Sequence, residues 1–219
     1  MVTGFFILGT AGWAWLRDDR RAKLAATGAV VLLPLQISIG AITVTLNGLL
    51  PWGYSAPTHA AHLIVALSIF TLLSLTTIYS YRDQYQRPPT DRTRLALGVA
   101  LGALLFSGLF SRGVPLLQYS PGAQAWYYAG SLLAVFALLA AYHWLADIDS
   151  FGRTLAGVAL GVLLTTMLLG RDLIAYTTTV ELVNFGLYVG LLGLVAAGLW
   201  RCLETPGFSS TALGTEHSE

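Results

Sequence analysis

Seven long apolar stretches, divided by short polar connections, fill most of this 219-residue chain. They fall near residues 2–16, 24–46, 57–79, 95–110, 125–145, 154–170 and 180–200. A helix needs roughly 20 apolar residues to cross a bilayer. Only 11% of the residues are charged and 55% are hydrophobic, whereas soluble domains carry about 25% charged residues. A water-soluble chain this poor in charge could not cover its surface with polar groups, but lipid solvates apolar side chains directly. Mean hydropathy is +0.67. The expected fold is all-α, a polytopic transmembrane bundle of seven spans, and the 23 glycines suit close helix contacts in a membrane.

The placement of cations sets the orientation. Arg17, Arg20, Arg21, Lys23, Arg82, Arg87, Arg92, Arg94, Arg153 and Arg201 fall on one side of an alternating topology, and only Arg112 and Arg171 fall on the other. That asymmetry puts the C-terminus in the cytoplasm and Met1 outside, in the cell membrane. The first span is short and starts at Met1 without a polar lead-in. Its cations follow it rather than precede it, which argues against a signal peptide and for a helix whose beginning precedes the sequence. Residues 204–219 are Ser/Thr/Gly-rich and read as a disordered cytoplasmic tail containing His217.

The near-neutral balance, +1, points away from nucleic acid as a partner. A single cysteine, Cys202, excludes an internal disulfide and any CxxC site. The chain has no HExxH, no phosphate-binding GxxxxGK loop and no GxSxG elbow, and no catalytic residue set is assignable.

Two segments are similar. Residues 35–70 read LQISIGAITVTLNGLLPWGYSAPTHAAHLIVALSIF, and residues 163–192 read LLTTMLLGRDLIAYTTTVELVNFGLYVGLL. Each is a span, a short outer loop and a helix with a polar residue near its start. His62 in one falls opposite Asn184 in the other. Both enter from the same side, a parallel repeat that implies a pseudo-two-fold axis along the membrane normal.

Ionisable groups are costly in a bilayer, so each needs a reason. His59 and His62 follow Pro57, a residue favoured at the first helical position, and lie one turn apart on one face. His62 stands roughly 7 Å along the helix from Pro57, among Ala60, Ala61, Leu63, Val65 and Ala66. Small neighbours would let a flat cofactor approach, and a neutral imidazole is a good ligand for haem iron. The competing reading of His62 is an interfacial histidine bonded to a carbonyl or to water. His59, nearer the water, is the lesser metal candidate. His143, beside Trp144 with Asp147 at i+4, reads as an aromatic-belt position with a helix-end ion pair. Glu181 reads as a first-turn carboxylate complementing the helix dipole. Arg171 and Asp172 read as a solvated loop pair, and Gln36 as a mid-span group bonding another helix.

One pattern has a counterpart among known families. Leu35–Gln36 with Gly40, Ala41, Thr43 and Val44, then Pro51–Trp52, then Ala61–His62–Leu63 heading a Leu/Ala-rich helix, resembles the haem A synthase family of cytochrome oxidase assembly proteins. The likeness is clearest over residues 1–81 and is topological from there to Trp200. It implies two four-helix halves, of which residues 1–81 would be the remainder of the first, with three spans, and residues 82–203 the second. It implies an oxidoreductase that converts the C8 methyl of haem O to the formyl of haem A. It also implies that His62 is an axial ligand to the iron of haem b or haem O, with Gln36, Gly40 and Thr43 in the cofactor-binding segment. The implied partners are membrane lipid, haem O, haem O synthase or cytochrome oxidase subunits, and a second copy of the chain.

The sequence departs from the family in three places. The first half's other histidine and its first helix would lie before Met1, as in an N-terminally truncated chain. Asn184 stands where the second half would have a histidine. Trp126, Tyr127 and Tyr128 stand near the position of its other one. The alternatives are a b-type haem protein without chemistry and a haem-free membrane assembly or transport protein.

Overall fold

A computed structural model describes residues 2–50, 55–81, 89–111, 120–169 and 177–204. Seven α-helices account for nearly all of them: α1 (Val2–Trp15), α2 (Arg20–Leu49), α3 (Ala56–Ser80), α4 (Pro89–Leu109), α5 (Pro121–Trp144), α6 (Ser150–Leu169) and α7 (Thr178–Glu204). A single 3₁₀ turn, Leu145–Asp147, follows α5. Six of the seven, α2 to α7, are long and apolar enough to cross a membrane. Helix α1 has 14 residues and a length of about 21 Å at 1.5 Å per residue, short of a roughly 30 Å hydrocarbon core.

The helix ends follow from local chemistry. Asp19 caps α2, accepting from the backbone N–H groups of Arg21 at 2.6 Å and Ala22 at 3.1 Å. Ser120 caps α5 through Ala123 N–H, with Pro121 at the first helical position. Asp149 caps α6 through Phe151 N–H at 3.0 Å. Thr177 caps α7 through Val180 N–H, and Glu181 lies in that first turn, where a carboxylate complements the dipole. Pro34 lies inside α2, which continues across it.

Lipid supplies no hydrogen-bond partners, so polar side chains in a span must be satisfied within the protein. The hydroxyls of Thr27, Thr43, Thr45, Ser68, Ser74 and Thr76 each donate to the carbonyl four residues earlier. These six hydroxyls of α2 and α3 are thus satisfied within their own helices. Large apolar side chains are correspondingly exposed, Phe5 at 74% and Val44 at 75% among them.

The chain divides into two compact units, Met1–Gln86 with Leu164–Gly186, and Arg87–Leu163 with Leu187–Glu219. In the first unit, α1 packs on α2 and α3, and α2 packs on α3. Ile7, Ala29 and Ile69 form one core cluster, and Ala11, Ala14 and Ala26 another. The alanine face of α2 (Ala22, Ala25, Ala26, Ala29) is buried, and small residues allow close backbone approach. In the second unit, α4 packs on α5 around buried Leu97, Leu104, Val135 and Leu138. Gly130 sets that approach: a Cβ there would lie 2.9 Å from Ser107 Cβ and 3.0 Å from the Ala103 carbonyl oxygen. Helix α7 joins α4 through the Tyr188 hydroxyl, which donates to the Leu104 carbonyl.

Within each unit the described cations gather at one end. In the first unit, Arg17 lies over Trp13 and near Tyr81, and Lys23 lies over Trp15. In the second, Arg92 lies over Trp144 and Arg153 over Tyr142. Arg94 Nε donates to the Cys202 carbonyl at 2.7 Å. Arg201 reaches Asp149 at 3.3 Å and covers the Phe151 ring. Burial alone would raise the Asp149 carboxyl, but the Gly152 backbone N–H, the Arg201 guanidinium and the Phe151 N–H outweigh it and hold it below the usual carboxylate value.

Two outcomes are expected. Gly130→Ala forces α4 and α5 apart and should lower stability by about 1–3 kcal/mol, the usual cost of overpacking. Gly102→Ala, with open space around its Cβ position, should not, and thermal unfolding of the purified protein in detergent compares the two. A depressed carboxylate stabilises the fold above its unfolded pKa, about 3.9, and loses that contribution as pH falls through the lower folded value. Wild type should therefore unfold at a higher temperature than Asp149→Asn at neutral pH, and the gap should close on acidification. A gap that widens in acid would contradict the assignment.

Candidate functional site

Helices α2 and α3 run side by side, and the α2 face that meets α3 repeats at Gln36, Gly40, Thr43 and Asn47, a helical spacing of four, three and four. Facing it are His62 and His59 of α3. The Gln36 amide nitrogen lies 3.1 Å from His62 Nε2. An amide nitrogen has only protons to offer, so it donates, and His62 Nε2 accepts with its lone pair. The imidazole is thereby held in the tautomer that carries its proton on Nδ1. Gly40 lies directly beneath the ring, since a Cβ there would sit 3.1 Å from His62 Cε1 and 3.5 Å from Nδ1. A Cβ there would require the ring to give by a few tenths of an ångström. Thr43, one turn on, is buried and turns its hydroxyl back to the Ile39 carbonyl at 2.8 Å. His62 itself is half-buried. Gln36 Oε1 is buried and takes no hydrogen bond among the described residues.

His59 has a different environment. Its Nδ1 donates to the Ser55 carbonyl at 2.8 Å, and Asn47 Nδ2 lies 3.5 Å from its Nε2. Asn47 Oδ1 accepts from the Ser55 backbone N–H at 2.8 Å. Both ring nitrogens of His59 are thus engaged in a clasp that ties the end of α2 to the start of α3.

The structure brings Gln36, Gly40 and His62 into contact and places Thr43 on the same face. It sets His59 apart, in the clasp. Sequence reasoning did not single out Asn47 or Ser55, although a polar residue near the end of an apolar span and a serine just before a helix are the available signals. His143 is half-buried near the end of α5, and the Asp147 side chain lies outside the described residues. Ion pairs described at that end of the second unit are Arg201–Asp149 and Arg94–Asp91. Asn184 lies in α7, six residues after Thr178, and His62 lies six residues after Ala56. Trp126 is exposed, while Tyr127 and Tyr128 pack edge to face. Pro51, Trp52, Arg82, Arg87, Arg112, Arg171, Asp172 and His217 lie outside the described residues.

The donor chemistry fits an axially ligated haem in one respect. In the tautomer that accepts from Gln36, the His62 lone pair is on Nε2, and a glycine lies beside the ring. The same lone pair is engaged by Gln36, so a metal at Nε2 would displace that amide. No group of three or more His, Cys, Asp or Glu side chains that could hold a metal ion by itself occurs among the described residues. No family model, curated protein or solved structure matches the chain.

Removing the amide should free the ring. Gln36→Leu is expected to raise the reactivity of His62 toward diethyl pyrocarbonate severalfold, at a cost of about 1 kcal/mol for one lost neutral hydrogen bond. His59, held by Ser55 and Asn47, should react at its wild-type rate, and peptide mass mapping distinguishes the two. An equal rise at both histidines would mean general loosening of the helix pair rather than release of His62.

Proposed function

We propose that this chain is a haem A synthase-like membrane oxidoreductase, binding haem b or haem O through His62. The observation that carries the reading is the His62 ring between two apolar helices, seated on Gly40 with Gln36 fixing its tautomer. A half-buried histidine in a lipid-facing protein is costly unless it is used, and displacing the Gln36 amide would turn its Nε2 lone pair to iron. Gln36 would orient the ring until ligand binding, Gly40 would leave room beside it, and Thr43 would offer a methyl rather than a hydroxyl. Bound haem would supply the redox-active iron for oxidation of a substrate methyl group.

The same proposal includes seven spans in two halves related by a parallel repeat, with α1 as the first. The equal placement of His62 and Asn184 from their helix starts supports it. So does the gathering of cations at one end of each unit, which under the positive-inside preference makes that end and the C-terminus cytoplasmic, in the cell membrane. Haem O as substrate, haem O synthase or cytochrome oxidase subunits as partners, and self-association belong to the same proposal. A second reading, a haem-free assembly or transport protein, is favoured by the Gln36 hydrogen bond, which satisfies the lone pair inside the protein.

Pyridine haemochrome spectra of protein purified from haem-replete cells separate these readings. Wild type should show b- or o-type haem that His62→Ala loses, while His59→Ala retains it. A single imidazole ligand gives a five-coordinate, high-spin spectrum. Haem A in extracts of cells that also make haem O would mark catalysis, and its absence alongside bound haem would favour a b-type haem protein without chemistry. A wild type without a Soret band would leave only the haem-free reading.

A further inference from the structure

Away from His62, at the opposite end of the first unit, α1 and α3 leave an open groove of about 470 Å³ between them. That size lies within the range of ligand clefts, roughly 300–1,000 Å³. Phe5, Phe6 and Gly9 of α1 form its apolar stretch, and Trp13 and Tyr81 stand at its other end. From Phe5 to Trp13 is about 12 Å along the helix. Two threonines line it, Thr10 and Thr77, but each donates its hydroxyl proton to its own helix, to the Phe6 and Leu73 carbonyls. The walls are therefore apolar in character despite their composition.

The mouth of the groove is polar and positive. The Trp13 and Tyr81 rings lie 5.6 Å apart. The Arg17 guanidinium sits 4.6 Å from the Trp13 centroid and 6.0 Å from that of Tyr81. A guanidinium over a ring interacts through its face, which keeps its N–H edge for an acceptor. Arg20 and Arg21 follow at the start of α2. An apolar channel that ends in a Trp/Tyr pair and an arginine has the polarity of a phospholipid turned head-outward.

We propose that this groove is a binding site for an anionic phospholipid, with one acyl chain along Phe5, Phe6 and Gly9 and its phosphate at Arg17. Across residues 17–23, Arg17, Arg20, Arg21 and Lys23 stand against Asp18 and Asp19, and Asp19 is turned to the α2 backbone as its cap. A neighbouring apolar helix would cover the walls without answering that positive excess, and a zwitterionic lipid would bring a further cation to it. The anionic head group is the occupant that satisfies both ends of the groove.

The test uses the whole protein in phosphatidylcholine vesicles that carry a minor fraction of bromine-labelled lipid, either phosphatidylglycerol or phosphatidylcholine. The signal is the tryptophan quenching that wild type has and Trp13→Phe lacks. Brominated phosphatidylglycerol should quench that component at about fivefold lower mole fraction than brominated phosphatidylcholine, the factor one arginine contributes near an anionic surface. Arg17→Gln should abolish the preference and Arg17→Lys should keep part of it. Arg153→Gln, which removes a comparable arginine–tyrosine contact elsewhere, should leave it intact. Should Trp13→Phe not fold, native mass spectrometry of wild type and Arg17→Gln reads the same preference as retained phosphatidylglycerol. Equal quenching by the two lipids, equal retention by the two proteins, or protection of Trp13 by self-association would each overturn the proposal.

Discussion

A backbone or side-chain polar group in hydrocarbon has no water to fall back on, and the rest of this structure depends on that constraint. It selects helices, because a helix pairs its N–H and C=O groups within one segment. It then governs the side chains. The hydroxyls of Thr43, Ser74 and Thr76 donate to carbonyls of their own helices, so they add no polar surface where helices meet. The interfaces are left to size. Ala22, Ala25, Ala26 and Ala29 on α2, and Gly130 against Ser107, bring backbones together where there is no hydrophobic drive between helices in lipid. Groups that cannot bond within their own helix must find partners across an interface, and those few cross-helix pairs mark the positions of chemical interest.

Among the described residues such pairs include Gln36 with His62 and Asn47 with His59 in the first unit, and Tyr188 with Leu104 and Ser107 and Arg94 with the Cys202 carbonyl in the second. They differ in what they leave available. The Asn47–His59–Ser55 clasp engages both nitrogens of its histidine with the backbone and side chains of one loop junction, which suits a structural role. The Gln36–His62 pair is a single neutral bond over a glycine, with the amide oxygen of Gln36 still unsatisfied among the described residues. That arrangement holds the ring in place without filling the space around it.

Much of the helical layout was legible in the sequence, because hydropathy alone outlines where lipid-soluble helices run. The boundaries were less so. The second apolar stretch begins near Leu24, but α2 begins at Arg20, because Asp19 supplies the cap and the basic turn continues the helix out of the membrane. The fourth begins near Leu95, but α4 begins at Pro89, a residue that fits a helix start. Apolarity marks the membrane crossing, whereas capping marks the helix. His62 and Gln36 stood out as polar residues in apolar surroundings. That they meet was not legible, since their contact depends on the relative rotation of α2 and α3, which is set by packing at Gly40, at Gly28, where a Cβ would lie 3.2 Å from Leu72 Cδ1, and along the alanine face. The groove beside Trp13 was hidden for a similar reason: Tyr81 is 68 positions away in the sequence, and only the helix packing brings its ring to 5.6 Å from that of Trp13.

The magnitude of the Gln36–His62 bond decides whether it opposes or assists a metal at Nε2. A neutral hydrogen bond contributes about 1 kcal/mol net, and leaving a buried acceptor unsatisfied costs about 1–3 kcal/mol. The amide is therefore strong enough to select one tautomer and one ring orientation, since the other tautomer would set an Nε2–H against the amide N–H and a turned ring would lose the amide as donor. It is weak enough that a ligand worth several kcal/mol at Nε2 would displace it. The cost of displacement falls on the Gln36 amide, whose N–H loses its acceptor beside an oxygen that has no partner among the described residues. Gly40 matters to the same balance: a Cβ there would make the ring give by a few tenths of an ångström, which works against the orientation that Gln36 selects.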